Sequence, residues 1–227
     1  MYQIPPLVTR ICFVILIFLS IQACTPHDFD LGKISLPISK AAITKQFPLE
    51  DEQFTVANGA RFSTSDQKAL YFEGQSLDGS VSGMENKLVF YVDKNSNQAQ
   101  AYSLNIRTKS ETEKLEQALF NKFGKPDYYY KHKDMNFRIW ESGSMTYFLE
   151  VNYTVKYSGV STVTADLNVV TNTYTPLYTY FMGGPYAYFA DYIAERKKLN
   201  NPKYTYKEFA RQRVADGSPY YGRELVP

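Results

Sequence analysis

The segment 145–157 constrains the fold most, because an apolar or aromatic residue stands at every second position along it without a break. The apolar and aromatic positions of this alternation are Met145, Tyr147, Leu149, Val151, Tyr153, Val155 and Tyr157. Successive side chains of a strand point to opposite faces of a sheet, so the pattern predicts a strand buried on one face. Short turns, Ser142-Gly143 and Ser158-Gly159, flank the segment. Because short turns join antiparallel neighbours, the region predicts an antiparallel meander.

Other segments with the composition of strands lie before and after this one. The segment FTVANGARFS (54–63) contains Asn58-Gly59 between two apolar runs, which is a strong signal for a hairpin. In the segment 100–108, Ser103, Asn105 and Arg107 share one face, and apolar residues occupy the other. The remaining predicted strands are 69–74, 87–93, 127–132, 135–142 and 160–171.

One helix is predicted from its start and stop signals. Ser110 and Glu113 have the spacing of a capping box, and Gly124 followed by Pro126 ends the helix. Its apolar stripe consists of Leu115, Ala118, Leu119 and Phe123. We therefore predict an α+β fold, in which this helix packs on one face of a mostly antiparallel sheet. An all-β sandwich is the alternative.

The C-terminal segment 172–227 differs in composition, since it holds ten of the 20 tyrosines. It predicts two short helices, one over about 190–199 and one that begins with a capping box at Thr205 and Glu208. A segment of this size is marginal as an independent domain. We therefore expect a Tyr-rich extension that packs on the same domain.

The N-terminal segment has the features of an export signal. Residues 11–19 are wholly apolar and follow Arg10, but the apolar run is too short to span a bilayer as a helix. Its last four residues, Ile21-Gln22-Ala23-Cys24, resemble the lipobox of bacterial lipoproteins. The resemblance covers the first 24 residues, and it departs from the common pattern by Ile at the first position and Gln at the second.

The resemblance implies a signal peptide over 1–23 and acylation of Cys24, including palmitate, which anchors the protein to a membrane of the cell envelope. Thr25 follows the cysteine where inner-membrane lipoproteins often carry Asp, so the outer membrane is expected. The periplasmic and the surface face both stay open. We expect a tether over 24–40, an α+β domain over 41–171 and the C-terminal extension over 172–227.

Few residues suited to catalysis are present. The chain has two cysteines, both within residues 1–24, and two histidines, His27 and His132. A cysteine nucleophile and a clustered zinc site are therefore excluded for the folded part, and neither a metal nor another cofactor is predicted. Glu150 and Asp166 occupy polar faces of predicted strands, so a carboxylate-based hydrolase is one alternative. The net charge of +2 gives no basis for nucleic-acid binding.

A group of tyrosines near Gly183-Gly184-Pro185 forms the candidate ligand-binding site. These residues are Tyr174, Tyr178, Tyr180, Tyr186 and Tyr188, and Tyr180 and Tyr188 flank the turn as two hairpin strands would. Aromatic rings on a loop offer stacking surfaces to a glycan or a protein, although the same rings could instead cover the sheet. The sequence predicts a non-catalytic binding or assembly module, with a glycan-binding lipoprotein as the alternative.

Overall fold

The computed structural model describes residues 29–218, which form a large antiparallel sheet with helices on both faces. The strands are β1 Ile38–Ser39, β2 Glu50–Val56, β3 Gly59–Thr64, β4 Tyr71–Phe72, β5 Gln75–Ser76, β6 Ser80–Val81, β7 Met84–Glu85, β8 Lys87–Asp93, β9 Gln98–Ile106, β10 Tyr128–His132, β11 Met135–Ser142, β12 Met145–Tyr157 and β13 Val160–Thr171. The α-helices are α1 Lys40–Thr44, α2 Lys109–Phe123, α3 Thr175–Phe181, α4 Ala187–Leu199 and α5 Tyr206–Ala215. Short 3-10 helices occupy Gln67–Ala69 and Gly184–Tyr186.

The main sheet has nine strands and is built from two meanders. Its order is β10-β11-β12-β13-β9-β8-β3-β2, with β1 also paired to β9. Helix α2 carries the chain from β9 to the far edge, and the second meander returns until β13 pairs with β9. The predicted α+β class, with a mostly antiparallel sheet, is confirmed.

The sheet is buried on both faces, which corrects the expectation for β12. Tyr147 and Leu149 belong to the core beneath α2, as the alternation predicts. Phe148, on the other face, is fully buried beneath the C-terminal helices. The alternation also breaks at a register shift between Asn152 and Val155. The positions of β12 that were expected to face solvent are therefore partly buried, because the C-terminal helices cover them.

The ends of α2 show one correct prediction and one wrong one. Gly124 ends the helix with a φ of +72°, a left-handed conformation that suits glycine. The indole Nε1 of Trp140 donates a hydrogen bond of 3.0 Å to the carbonyl oxygen of Gly124. The helix begins after Thr108 without a side-chain cap, and Ser110 bonds to Glu111 instead. The capping box predicted at Ser110 and Glu113 is therefore wrong.

The hairpin between β2 and β3 is present, with its turn one residue earlier than predicted. Val56 pairs with Gly59, so Ala57 and Asn58 are the two central residues. Both have positive φ, 45° and 67°, as a type I′ turn requires. The hairpin prediction is confirmed, but Gly59 is the first residue of β3.

The C-terminal residues form a helical layer on the sheet. Thr205 caps α5 through the predicted capping box with Glu208. The buried aromatic residues of this second core are Tyr91, Tyr128, Phe137, Phe148, Phe181, Tyr186, Phe189, Tyr192, Tyr206 and Phe209. Much of the high tyrosine content therefore packs the interface between the helices and the sheet.

The segment from Phe29 to residue 40 belongs to the folded domain rather than to a tether. Phe29, Leu31 and Leu36 are buried in the core beneath α2, and the ring of Phe29 contacts that of Phe47 edge to face at 4.8 Å. The expected tether over 24–40 is corrected here, because these apolar side chains fill the core. Residues 24–28 lie outside the described residues.

Asp30 fixes this N-terminal segment to the β4–β5 hairpin. Its carboxylate accepts hydrogen bonds from the backbone amides of Gly32, Glu73 and Gly74 at 2.8–3.0 Å. Burial alone would raise the pKa of Asp30, but these amides and the ammonium group of Lys33 outweigh it and lower the pKa. The ionised carboxylate therefore stabilises the fold.

We expect Asp30→Asn to lower the free energy of unfolding by about 2 kcal/mol at pH 7, because buried amides lose a charged acceptor. A carboxyl group whose pKa is depressed by folding stabilises the protein above its unfolded pKa, and this contribution is lost as the pH falls through the folded pKa. The difference in free energy of unfolding between the variant and the native protein should therefore shrink as the pH falls. Urea unfolding between pH 2 and pH 7 measures it, with Asp216→Asn, at an exposed position, as the control. A constant difference across this range would contradict the assignment.

Candidate functional site

The five tyrosines predicted as a binding group do not form one surface. The chain is helical on both sides of Gly183-Gly184, so the expectation that Tyr180 and Tyr188 flank a hairpin turn is wrong. Tyr186 is buried, and its ring contacts Phe148 and Phe137 edge to face at 5.2 and 5.7 Å. Tyr186 therefore serves the packing of the helical layer.

Three of the other tyrosines are partly buried in the same layer. Tyr178 packs on Phe148, with 6.2 Å between ring centroids, and Tyr188 lies 6.0 Å from Tyr130. Tyr174 donates a hydrogen bond of 3.3 Å from its hydroxyl to Asp93 Oδ1. These contacts indicate a structural contribution from each ring.

Tyr180 is the member of the group that exposes its ring. It is 56% exposed and lies at the surface of α3. Its ring contacts Phe181 at 5.4 Å, and Phe181 in turn contacts Tyr91 edge to face at 5.4 Å. Tyr180 therefore stands at the edge of the helical layer, next to the part of the sheet around Tyr91.

We expect Tyr186→Ala to lower the free energy of unfolding by about 3–5 kcal/mol, the range for large aromatic truncations in cores. Tyr180→Ala should change it by less than about 0.5 kcal/mol, because the exposed ring loses little burial. Chemical denaturation of both variants measures the difference. Equal losses in the two variants would contradict the distinct burial of the two rings.

A group of polar side chains lies on the face of the sheet that carries the helical layer. We call it the polar strip, and its members are Ser103, Asn105, Arg107, Glu150, Asp166 and Asn168. Five of them come from the central strands β9, β12 and β13, and Arg107 directly follows β9. The strand register places Asn105 opposite Asp166, and Asp166 opposite Glu150. One row across three strands therefore holds an amide and two carboxylates.

Two side chains hold Asp166 in place: Asn105 on β9 and Arg107, which directly follows β9. Asn105 Nδ2 donates a hydrogen bond of 2.7 Å to Asp166 Oδ1, and Arg107 Nη1 lies 3.4 Å from Oδ2. The side chains of Arg107 and Asp166 are 26% and 34% exposed, so both can be reached from solvent. The carboxyl group of Asp166 thus lies between an amide and a guanidinium group.

Glu150 lies opposite Asp166 without a comparable partner. Within residues 29–218 its side chain makes no hydrogen bond or ion pair. Burial raises the pKa of Glu150 and the charge of Asp166 adds to this, while Arg107 partly offsets both. The two facing carboxylates thus have different electrostatic environments.

The hydroxyl group of Tyr186 lies beside this pair. Its ring contacts Phe137, which is directly opposite Glu150 in the sheet. The hydroxyl is buried and has no hydrogen-bond partner in the described part of the chain. Burial, with the charges of Glu150 and Asp166, raises the pKa of Tyr186 well above its ordinary value. The hydroxyl of Tyr186 therefore stays neutral and feels the charges of both carboxylates without bonding to either.

The other end of the polar strip reaches Tyr91. Ser103 bonds to Asn168 Oδ1, and its hydroxyl lies 3.0 Å from that of Tyr91. Arg61 lies over the Tyr91 ring, with 5.8 Å from its guanidinium carbon to the ring centroid. Ser103 and Tyr91 are both buried, so this end of the strip is covered.

The described residues contain no group of three or more His, Cys, Asp or Glu side chains that could hold a metal ion. His132 stacks on Tyr130 with 6.4 Å between ring centroids. Cys24 and His27 lie outside the described residues. No helix between residues 29 and 218 has the length and apolar character to cross a membrane.

A separate groove of about 660 Å³ runs between α2 and the β4–β5 hairpin. Its lining is polar, and Lys122 on α2 bonds to Glu73 at the hairpin turn. Gln117 Nε2 donates a hydrogen bond of 2.7 Å to Asn121 Oδ1 on the same helix. Two pairs of lining residues are therefore bonded to each other within the groove.

Part of the polar strip was visible in the sequence. The alternation places Ser103, Asn105 and Arg107 on one face, and it identifies Glu150 and Asp166 as polar positions. The pairing of β9 with β13 joins segments about 60 residues apart, and no local pattern specifies it. The sequence analysis therefore missed that these side chains meet.

No protein-family model, curated protein or solved structure matches this chain.

We expect Glu150→Gln to stabilise the protein at pH 7, because it removes a half-buried charge that faces Asp166. When folding raises the pKa of a carboxyl group, the protein loses stability as the pH rises from the unfolded pKa of that group through its folded pKa. The gain in melting temperature should therefore be largest at neutral pH and vanish below about pH 4, where both states are protonated. Thermal unfolding from pH 3 to pH 8 measures this. The control is Glu85→Gln, at an exposed position of β7, which should show no such pH dependence.

Proposed function

We propose that this protein is a lipid-anchored, non-catalytic binding module of a bacterial cell envelope. The lipobox-like sequence Ile21–Cys24 supports the anchor, and Thr25 after the cysteine supports the outer membrane. The folded domain starts by Phe29, five residues after Cys24. Five residues span at most about 18 Å, so acylation of Cys24 would hold the domain close to the membrane surface.

The polar strip is the observation that carries the binding role. Its amide, carboxylate and guanidinium groups lie half-buried on a sheet face whose neighbouring surface is aromatic. Pockets that bind ligands commonly combine an aromatic surface with a few converging polar groups. The strip has this combination, and none of its six members is a histidine or a cysteine.

A second candidate function is glycan binding, and the exposed ring of Tyr180 favours it. Sugars present hydroxyl groups to polar side chains and C–H faces to aromatic rings. Tyr180 offers such a ring at the surface of α3, in contact with Phe181. The first candidate function, a binding module, also covers a protein partner on the same surface.

We expect Cys24→Ala to abolish metabolic labelling with a palmitate analogue and to shift the protein from the membrane to the soluble fraction. Durable anchoring needs more than one acyl chain, and these chains attach to Cys24 in lipoproteins. Cys12→Ala is the matched control, since Cys12 lies inside the predicted signal peptide and its loss should leave labelling unchanged. A Cys24→Ala protein that stays labelled and membrane-bound would refute the proposed anchor.

A further inference from the structure

The folded domain begins at Phe29, and this point is held close to the predicted acylation site. Cys24 precedes Phe29 by five residues, and five residues span at most about 18 Å. A compact domain over residues 29–218 has a radius of gyration of about 16 Å, which makes it roughly 40 Å across. If the opposite side of the domain touched the bilayer, Phe29 would lie further from the bilayer than the linking residues reach. The surface around Phe29 is therefore the part of the domain that the anchor holds against the membrane.

Three other segments of the chain surround the residues that follow the anchor. The ring of Phe29 contacts that of Phe47, and the carboxylate of Asp30 bonds to the backbone of the β4–β5 hairpin. At the end of α2, Lys122 Nζ donates a hydrogen bond to the carbonyl oxygen of Gly32. We call this surface the anchor face, and it consists of residues 29–33, 45–47, 71–74 and 122–125.

Four lysines give the anchor face its positive charge. They are Lys33, Lys45, Lys122 and Lys125. Lys45 and Lys125 are exposed, and neither makes an ion pair within residues 29–218. Two positive charges on this face are therefore not compensated by the described part of the chain.

The other two lysines are paired with acids that lie deeper or are equally exposed. The side chain of Lys33 is 68% exposed and that of its partner Asp30 only 4%, so the ammonium group is the member of the pair that faces outward. Lys122 bonds to Glu73. The linking segment adds one acid, Asp28. The anchor face thus keeps a net positive charge when that acid is counted.

We propose that the anchor face binds the anionic phospholipid headgroups of the membrane that holds the acyl chains. This proposal rests on the lipid anchor given above and names the surface of the domain that contacts the membrane. A lysine near an anionic bilayer favours the bound orientation by about fivefold. Helices α4 and α5 also carry lysines, but they pack on the other face of the sheet from Phe29. The bound orientation therefore turns these helices away from the bilayer.

The test is the reactivity of individual lysines in the acylated protein, reconstituted in lipid vesicles. A membrane-impermeant reagent acetylates exposed amines, and mass spectrometry gives the rate at each lysine relative to Lys203, between α4 and α5. With about 30% phosphatidylglycerol in phosphatidylcholine, the four lysines of the anchor face should react at least about fivefold more slowly than in pure phosphatidylcholine. This protection should disappear at about 1 M salt, where the Debye length is about 3 Å.

Two double variants separate the anchor face from other basic surfaces. Lys45→Gln with Lys125→Gln should lower the ratio of bound to free orientation by about 25-fold, measured from the protection of the other two lysines of the anchor face. Lys197→Gln with Lys207→Gln is the matched control, because it removes the same charge from exposed positions of α4 and α5 and should leave the protection unchanged. All four positions are exposed, so neither variant should destabilise the fold by more than about 0.5 kcal/mol.

Equal reactivity of the four lysines in anionic and neutral vesicles would overturn the proposal. Protection of Lys197 and Lys207 in their place would overturn it as well. The mass of the reconstituted protein checks the anchor separately. A protein without acyl chains would refute the anchor and the membrane contact together, whereas an acylated protein with uniformly reactive lysines would refute the membrane contact alone.

Discussion

The antiparallel pairing of β9 with β13 is the interaction on which the rest of the structure depends. It joins the meander β2-β3-β8-β9 to the meander β10–β13, so that one sheet can carry two cores. Its register places Leu104 opposite Leu167 on the face beneath α2. Because side chains alternate along a strand, a slip by one residue would put these leucines on the other face. The hydrophobic cores on both faces therefore fix this register together.

The polar strip follows from the same register. Asn105 meets Asp166 because they lie on the opposite face from the paired leucines, one residue after Leu104 and one residue before Leu167. The helical layer covers the sheet around Phe148 and leaves the row of Asn105, Asp166 and Glu150 half-exposed. A surface of this kind, at the border between a packed layer and solvent, can combine aromatic contacts with polar ones. This position is the physical basis of the proposed binding site.

The accuracy of the sequence predictions depended on the range of the interactions involved. The end of α2 at Gly124 and the capping box of α5 are local, since each involves residues within a few positions. The capping box predicted at Ser110 is absent because Ser110 bonds to Glu111 within the first turn. The segment after Cys24 resembled a tether, but Phe29 has its packing partners Phe47 and Phe90 far along the chain. Local composition could not specify those partners.

The sequence by itself determined the α+β class, the antiparallel meander and most of the helices, because periodicity and caps act between near neighbours. It also provided the lipobox-like motif before the domain, and the polar positions of the central strands. Only the tertiary structure decided which tyrosines are buried and that Glu150 faces Asp166. The reason is that strand pairing between the two meanders and the docking of the C-terminal helices bring together residues that no sequence period connects.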